Sequence, residues 1–260
     1  MSRVLVPFRV QDETTPYLGD VTRMLRLRST TKRYDETLAI AGLLRVDAKA
    51  LAGTHPELRM RKFLRLVRFL PGSILFLDSP RMREPGWRWA TESFIPSVQF
   101  RGAARTTSFM STSKFTAGQR AECLNYPDGG LLGIYSLIRS TSSMPLGDDS
   151  GQAVDQRHSV FLKTENALIK VITGSYKPLG DFVFDTVLML PCMHAGKDLW
   201  IGVAASSTGN AMTVHGQQVE IFIFKRRVIL RRMQTDGSSS VAMGRCHEAQ
   251  WLTDISVVIT

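Results

Sequence analysis

The side chains best equipped for chemistry are four in the C-terminal half: Cys192, His194, Cys246 and His247. Thiolate and imidazole are the donors that zinc takes in tetrahedral sites, but neither pair has the spacing of a structural knuckle, so no metal is expected. Gly147-Asp-Asp-Ser150-Gly151 has the composition of a serine-nucleophile loop. Such a serine needs a histidine and a buried aspartate, and His55, the upstream histidine, lacks the small apolar surroundings that a catalytic one has. No glycine-rich loop runs into Lys-Ser/Thr, and no Gly-x-Gly-x-x-Gly follows a strand, so no nucleotide cradle is visible. Trp87-Arg88-Trp89 has the means to stack a base or a sugar. No further aromatics interleave with basic residues there, which favours two packing anchors around an arginine paired to a carboxylate. No catalytic residue and no cofactor is assigned.

The remaining chemistry is charge. Thirty-three basic residues against twenty-three acidic ones leave a formal charge of +10, which favours anionic partners without choosing between nucleic acid and lipid. Arg61, Lys62, Arg65 and Arg68 crowd one side of a predicted helix, and Arg226, Arg227, Arg231 and Arg232 lie in the run Lys225-Arg-Arg-Val-Ile-Leu-Arg-Arg. Together they form a candidate nucleic-acid patch. In the second run Val228, Ile229 and Leu230 interrupt the charge, and basic residues also shield exposed strand edges, so edge protection is the preferred reading there.

The elements that must position these groups change character along the chain. Tyr17, Leu18, Val21 and Leu25 fit a short amphipathic helix. From Arg28 to Leu44, Ser29, Thr30 and Thr31 are candidate caps, Asp35 and Glu36 place negative charge near the helix start, and Leu38, Ala41 and Leu44 fall on one face. Asp47 to Leu51 predicts a turn and a helical continuation, broken at Gly53 and Pro56. Met60, Phe63, Leu64 and Val67 then stripe a helix over Glu57 to Leu70, ended by Pro71, with a short strand at Ile74 to Leu77. Polar, glycine-bearing sequence from Gln99 to Gln119 reads as an exposed linker.

Downstream the hydrophobic period falls to two. Strands are expected at Leu131 to Ile138, Val160 to Thr164, Ala167 to Thr173, Phe182 to Leu190, Leu199 to Ala205, Val219 to Leu230 and Ile255 to Ile259. Turn signals at Asp128-Gly-Gly, Glu165-Asn166, Gly209-Asn210 and Asp236-Gly237 suggest antiparallel hairpins. Ser140 to Gln156 reads as a mobile loop. No apolar run approaches the ~20 residues that span a bilayer, and three cysteines are too few for a disulfide framework, which points to a reducing compartment.

Arg28-Ser-Thr-Thr-Lys-Arg-Tyr-Asp35-Glu36, with the apolar helix and Asp47 that follow, resembles the block just after the HET domain in fungal heterokaryon-incompatibility-like proteins. The order continues. Leu58-Arg59-Met60 with Phe63 is similar to that family's Arg-Met helix, Pro71 with Ile74 to Phe76 to its next strand, and Gly86-Trp87-Arg88-Trp89-Ala90 to its Gly-x-Arg-Trp-Ala-Pro signature. Glu122 to Leu132, with Gly129-Gly130, resembles the strand and turn that come next. Arg33 and Thr91 stand where the family has prolines. The family's HET domain, with its Trp-Gly and Arg-x-Trp-Thr-x-Gln-Glu segments, is absent from this sequence, and no catalytic residue carries over.

The expected fold is therefore α+β: a small helical N-terminal part (1–98), a linker (99–119) and a mainly antiparallel β part (120–260). The resemblance implies a non-enzymatic accessory, regulatory or protein-interaction region, truncated or free-standing, in an intracellular, cytoplasmic setting with the nucleus as the alternative. Its partner is expected to be protein, and a basic nucleic-acid-binding module is the alternative function. Arg28, Asp35, Glu36, Arg59, Met60, Trp87, Arg88 and Trp89 carry the signature. Asp35 and Glu36 are expected to be structural partners of arginines such as Arg28, Arg59 or Arg88 that fix the helical half against the aromatic segment.

Overall fold

A computed structural model describes residues 18, 33–67, 69–77, 79–94, 122–125, 129–146, 159–172, 182–196, 198–233 and 246–260. Arg28, Arg68, Ser150, the 99–119 linker and the Asp236-Gly237 turn lie outside them, as does the first predicted helix except for Leu18, which is helical and buried. The chain divides into two compact units: Met1–Gly133 with Thr213–Gln218 and Val258–Thr260, and Ile134–Met212 with Val219–Val257. Few helices and a strand-rich mixed sheet make the α+β class. Among the described residues no helix is long and apolar enough to cross a membrane.

In the first unit a 3₁₀ turn, Arg33–Asp35, leads into α1, Glu36–Ala41. The helix is shorter than the spacing predicts. It closes where Arg45 takes a left-handed φ of 52°, letting the Val46 amide reach the Ala41 carbonyl at 2.9 Å. Its inward face also differs: Glu36, Thr37, Ile40 and Ala41 are buried, while Leu38 and Leu44 are half-exposed. The buried hydrogen bonds that Glu36 makes turn the helix that way. In α2, Ala48–Ala52, the Asp47 carboxylate caps the Ala50 amide at 3.0 Å and Leu51 is buried.

After a 3₁₀ turn at Pro56–Leu58, α3 spans Arg59–Val67 and buries Met60, Phe63 and Leu64, as the stripe requires. It stops short of the predicted Leu70 because Phe69–Pro71 forms β1, antiparallel to β2, Glu122–Asn125, which in turn pairs Leu124 with Leu132. The strand expected at Ile74 to Leu77 is instead a 3₁₀ turn, Gly72–Phe76. Ile74, Leu75 and Phe76 are buried in succession there, which the alternating faces of a strand that is half solvated do not allow.

The remaining strands lie wholly or largely in the second unit: β3, Leu131–Leu146, β4, Ser159–Lys163, β5, Leu168–Ile172, β6, Phe182–Gly196, β7, Leu199–Val214, β8, Gln217–Met233, and β9, Cys246–Ile259. The order is β3-β6-β7-β8-β5-β4-β9, and β9 also pairs with β3, so the sheet closes on itself. The β3–β6, β6–β7, β8–β5 and β5–β4 pairings are antiparallel as expected, whereas β4 and β9 run parallel, against the expectation. Ile138, Met144, Leu162, Val171, Phe184, Val228 and Leu230 belong to the interior cluster.

Two turn and loop expectations fail. Ser140 to Leu146 is not loop but the continuation of β3, resumed after a register shift between Arg139 and Met144. Gly209-Asn210 lies within β7, and the chain reverses at His215-Gly216, where φ values of 48° and 79° give the doubly left-handed geometry that suits strand twist. The Glu165-Asn166 turn is where the residue types place it, closed by the Thr164 amide on the Ala167 carbonyl at 2.9 Å.

Candidate functional site

Most of the described signature residues sit in the first unit as bonding and packing partners. Arg59, on the first turn of α3, sends Nη1 to Asp35 Oδ1 at 3.2 Å and Nε to the Thr54 carbonyl at 3.1 Å. Glu36, only 2% exposed, accepts from Ser93 Oγ and from the Phe94 amide, both at 2.6 Å. The Glu36 carboxylate therefore joins α1 to the end of the aromatic segment through a hydroxyl and an amide, where an arginine was the expected partner. Thr91, where the resemblance has proline, holds the Ser93 amide at 3.2 Å and donates to Ser79 Oγ at 2.6 Å.

Trp87 and Trp89 are fully buried and stacked, with ring centroids 5.7 Å apart and an interplanar angle of 29°. Trp89 Nε1–H donates to the carbonyls of Gly86 at 2.9 Å and Gly129 at 2.8 Å, which satisfies its one polar atom. Gly129 has a φ of 101°, and a Cβ there would lie 2.5 Å from Trp87 Nε1. The tryptophans are thus the packing anchors the sequence suggests, with no ring face free for a base. Arg88 departs from expectation. It is exposed, and among the described residues it makes no ion pair. Arg65 instead lies over the Trp87 ring, 5.3 Å from its centroid.

Sequence reasoning missed Arg81, whose guanidinium donates to the carbonyls of Ile74, Leu75, Leu77 and Trp89. These bonds tie the 3₁₀ turn to the tryptophan loop. Nothing in a lone arginine between Pro80 and Met82 signals that role. An open cleft of about 240 Å³ lies beside the signature, bordered by Tyr34, Thr37, Leu58, Arg59, Met60, Met82 and the carboxylates of Glu57, Glu84 and Glu92.

In the second unit His247 is drawn to Ser142, Nδ1 to Oγ at 3.1 Å. The side chains of Cys192 and His194 lie outside the described residues, and among the described residues no three His, Cys, Asp or Glu side chains gather as a metal site would require. His55 is exposed. Burial pushes the Cys246 thiol above its ordinary pKa, the nearby Glu248 carboxylate adds to that, and Lys163 opposes it. An unforeseen polar group links β3, β7 and β8: Glu220 accepts from Arg139 Nη2 and from Ser207 Oγ, each at 2.6 Å, and Arg139 lies over the Phe222 ring.

The described basic residues fall in both units. Arg61, Lys62 and Arg65 belong to the first unit, and Arg226, Arg227, Arg231 and Arg232 to the second. Edge protection does not account for the second set, because β8 lies between β7 and β5 in the sheet. Alternation also splits the set: Phe222, Phe224, Val228 and Leu230 are buried, so Arg226 and Arg232 share their side and Arg227 and Arg231 take the other. Burial lowers the pKa of Arg226, and Arg232 donates to the Asn166 carbonyl at 3.3 Å. No family model, no curated protein and no solved structure matches the chain.

Proposed function

We propose that this chain is a non-enzymatic accessory region of the fungal heterokaryon-incompatibility type, which binds protein inside the cell and regulates a HET-domain relative. One observation supports the reading. Most of the described residues that carry the resemblance, Arg88 apart, are engaged in structural contacts: Asp35 with Arg59, Glu36 with Ser93 and Phe94, and Trp87 stacked on Trp89. Residues spent on internal bonds specify a scaffold, and a scaffold serves recognition through the surface it displays. Exposed Tyr34 and Leu58 beside the carboxylate-bearing cleft are the first places to look for that surface. The test is co-precipitation of a tagged full-length HET-domain relative by this chain, paired with deletion of the chain in an incompatibility cross. Recovery of the relative and an altered cross support the proposal. No recovery together with an unchanged cross overturns it.

A further inference from the structure

The outer face of the β4–β5–β8 ladder holds a charge arrangement that folding alone does not explain. Lys170 on β5 is directly opposite Arg231 on β8. Opposed residues of an antiparallel pair share a face with Cβ atoms about 4.5–5.5 Å apart, and like charges so placed destabilise the ladder. Among the described residues neither has a carboxylate within ion-pair distance. On the other side of Lys170 its register partner is Phe161, whose ring centroid lies 5.8 Å from Nζ. Lys163, two residues along β4, brings a third cation to the same face and is held by Glu248 at 3.0 Å. The reverse sides of these strands bury Val160, Leu162, Ile169, Val171 and Leu230, so the cations face outward.

We propose that this face binds single-stranded nucleic acid, with phosphates neutralising Lys170 and Arg231 and a base stacking on Phe161. The inference stands apart from the protein-binding reading above. Cationic side chains whose Cβ atoms stand about 5–8 Å apart suit a polyanion, and an aromatic ring among them is useful to a strand whose bases are unpaired. A lipid surface would call for projecting apolar anchors, whereas Phe161, Ile172 and Ile229 are only half-exposed. An acidic peptide supplies no ring stack as a rule.

The experiment is fluorescence polarisation of the full chain with labelled oligo(U) and oligo(dT), against a hairpin duplex, polyglutamate and phosphatidylserine vesicles. Single strands are expected to bind best, with log affinity falling linearly in log salt. Lys170→Glu places opposite charges across the pair, so it is expected to keep the fold while weakening binding at least about tenfold and flattening the salt slope. Arg231→Gln is a second variant, and Phe161→Leu is expected to weaken binding about tenfold with the slope unchanged. Absence of single-strand binding, equal or tighter binding of duplex, polyglutamate or vesicles, or unchanged affinity in folded Lys170→Glu and Arg231→Gln overturns the proposal.

Discussion

Replacing Glu36 by alanine removes the acceptor for two buried donors at once, Ser93 Oγ–H and Phe94 N–H, each 2.6 Å from a carboxylate oxygen. Hydrogen bonds to a charged group contribute about 1.5–3 kcal/mol each. Against that sum stands the desolvation that a carboxylate 2% exposed already bears, which the mutation relieves in part. The net loss is expected at about 2–4 kcal/mol, which for a chain of this size lowers the melting temperature by roughly 4–16 °C. Glu36→Gln retains one carbonyl acceptor, and its amide can donate to the Ser93 hydroxyl, so about half the loss is expected. Asp35→Ala is the control. Its side chain is 49% exposed and meets Arg59 at 3.2 Å, a pair worth about 0.5–1 kcal/mol. Calorimetry, with near-ultraviolet circular dichroism following Trp87 and Trp89, measures all three. A Glu36→Ala protein that melts within about 1 °C of the parent, or an Asp35→Ala protein that loses as much, refutes the reasoning.

Gly129→Ala combines a left-handed φ of 101° with a Cβ 2.5 Å from Trp87 Nε1 and 2.9 Å from the Gly86 carbonyl. A destabilisation of about 2–5 kcal/mol is expected, read as an earlier urea midpoint with increased tryptophan fluorescence change. Cys246 is expected to alkylate more slowly at neutral pH than an ordinary thiol, because burial and Glu248 raise its pKa and so reduce the thiolate fraction. Glu248→Gln removes the repulsive charge, lowers that pKa and is expected to speed alkylation of this cysteine at a given pH; residue-resolved mass spectrometry after iodoacetamide treatment checks both.

The β strands were legible because an apolar side chain at every second position follows from the pleat itself, and the ladder from Val160 to Ile172 matches that pattern. The inward stripe of Met60, Phe63 and Leu64 was legible for the equivalent reason in a helix. An arginine partner for Asp35 was expected, but Arg28, Arg59 and Arg88 were all open, and the fold chose Arg59. The Gly209-Asn210 signal misled because a glycine at positive φ also suits a local irregularity inside a long strand.

What the amino-acid order determined by itself was local: periodicities, the short helix after Asp47, the Glu165-Asn166 turn and the sign of the charge. Contacts between distant segments were decided only by tertiary structure. Arg81 gathers four carbonyls, Glu36 reaches Ser93, and Lys170 opposes Arg231, because closure brings together groups that no spacing along the chain relates. The parallel seam of β4 and β9 belongs with them. A strand's own residues set which face is buried, but its neighbour is chosen by the packing of the whole sheet.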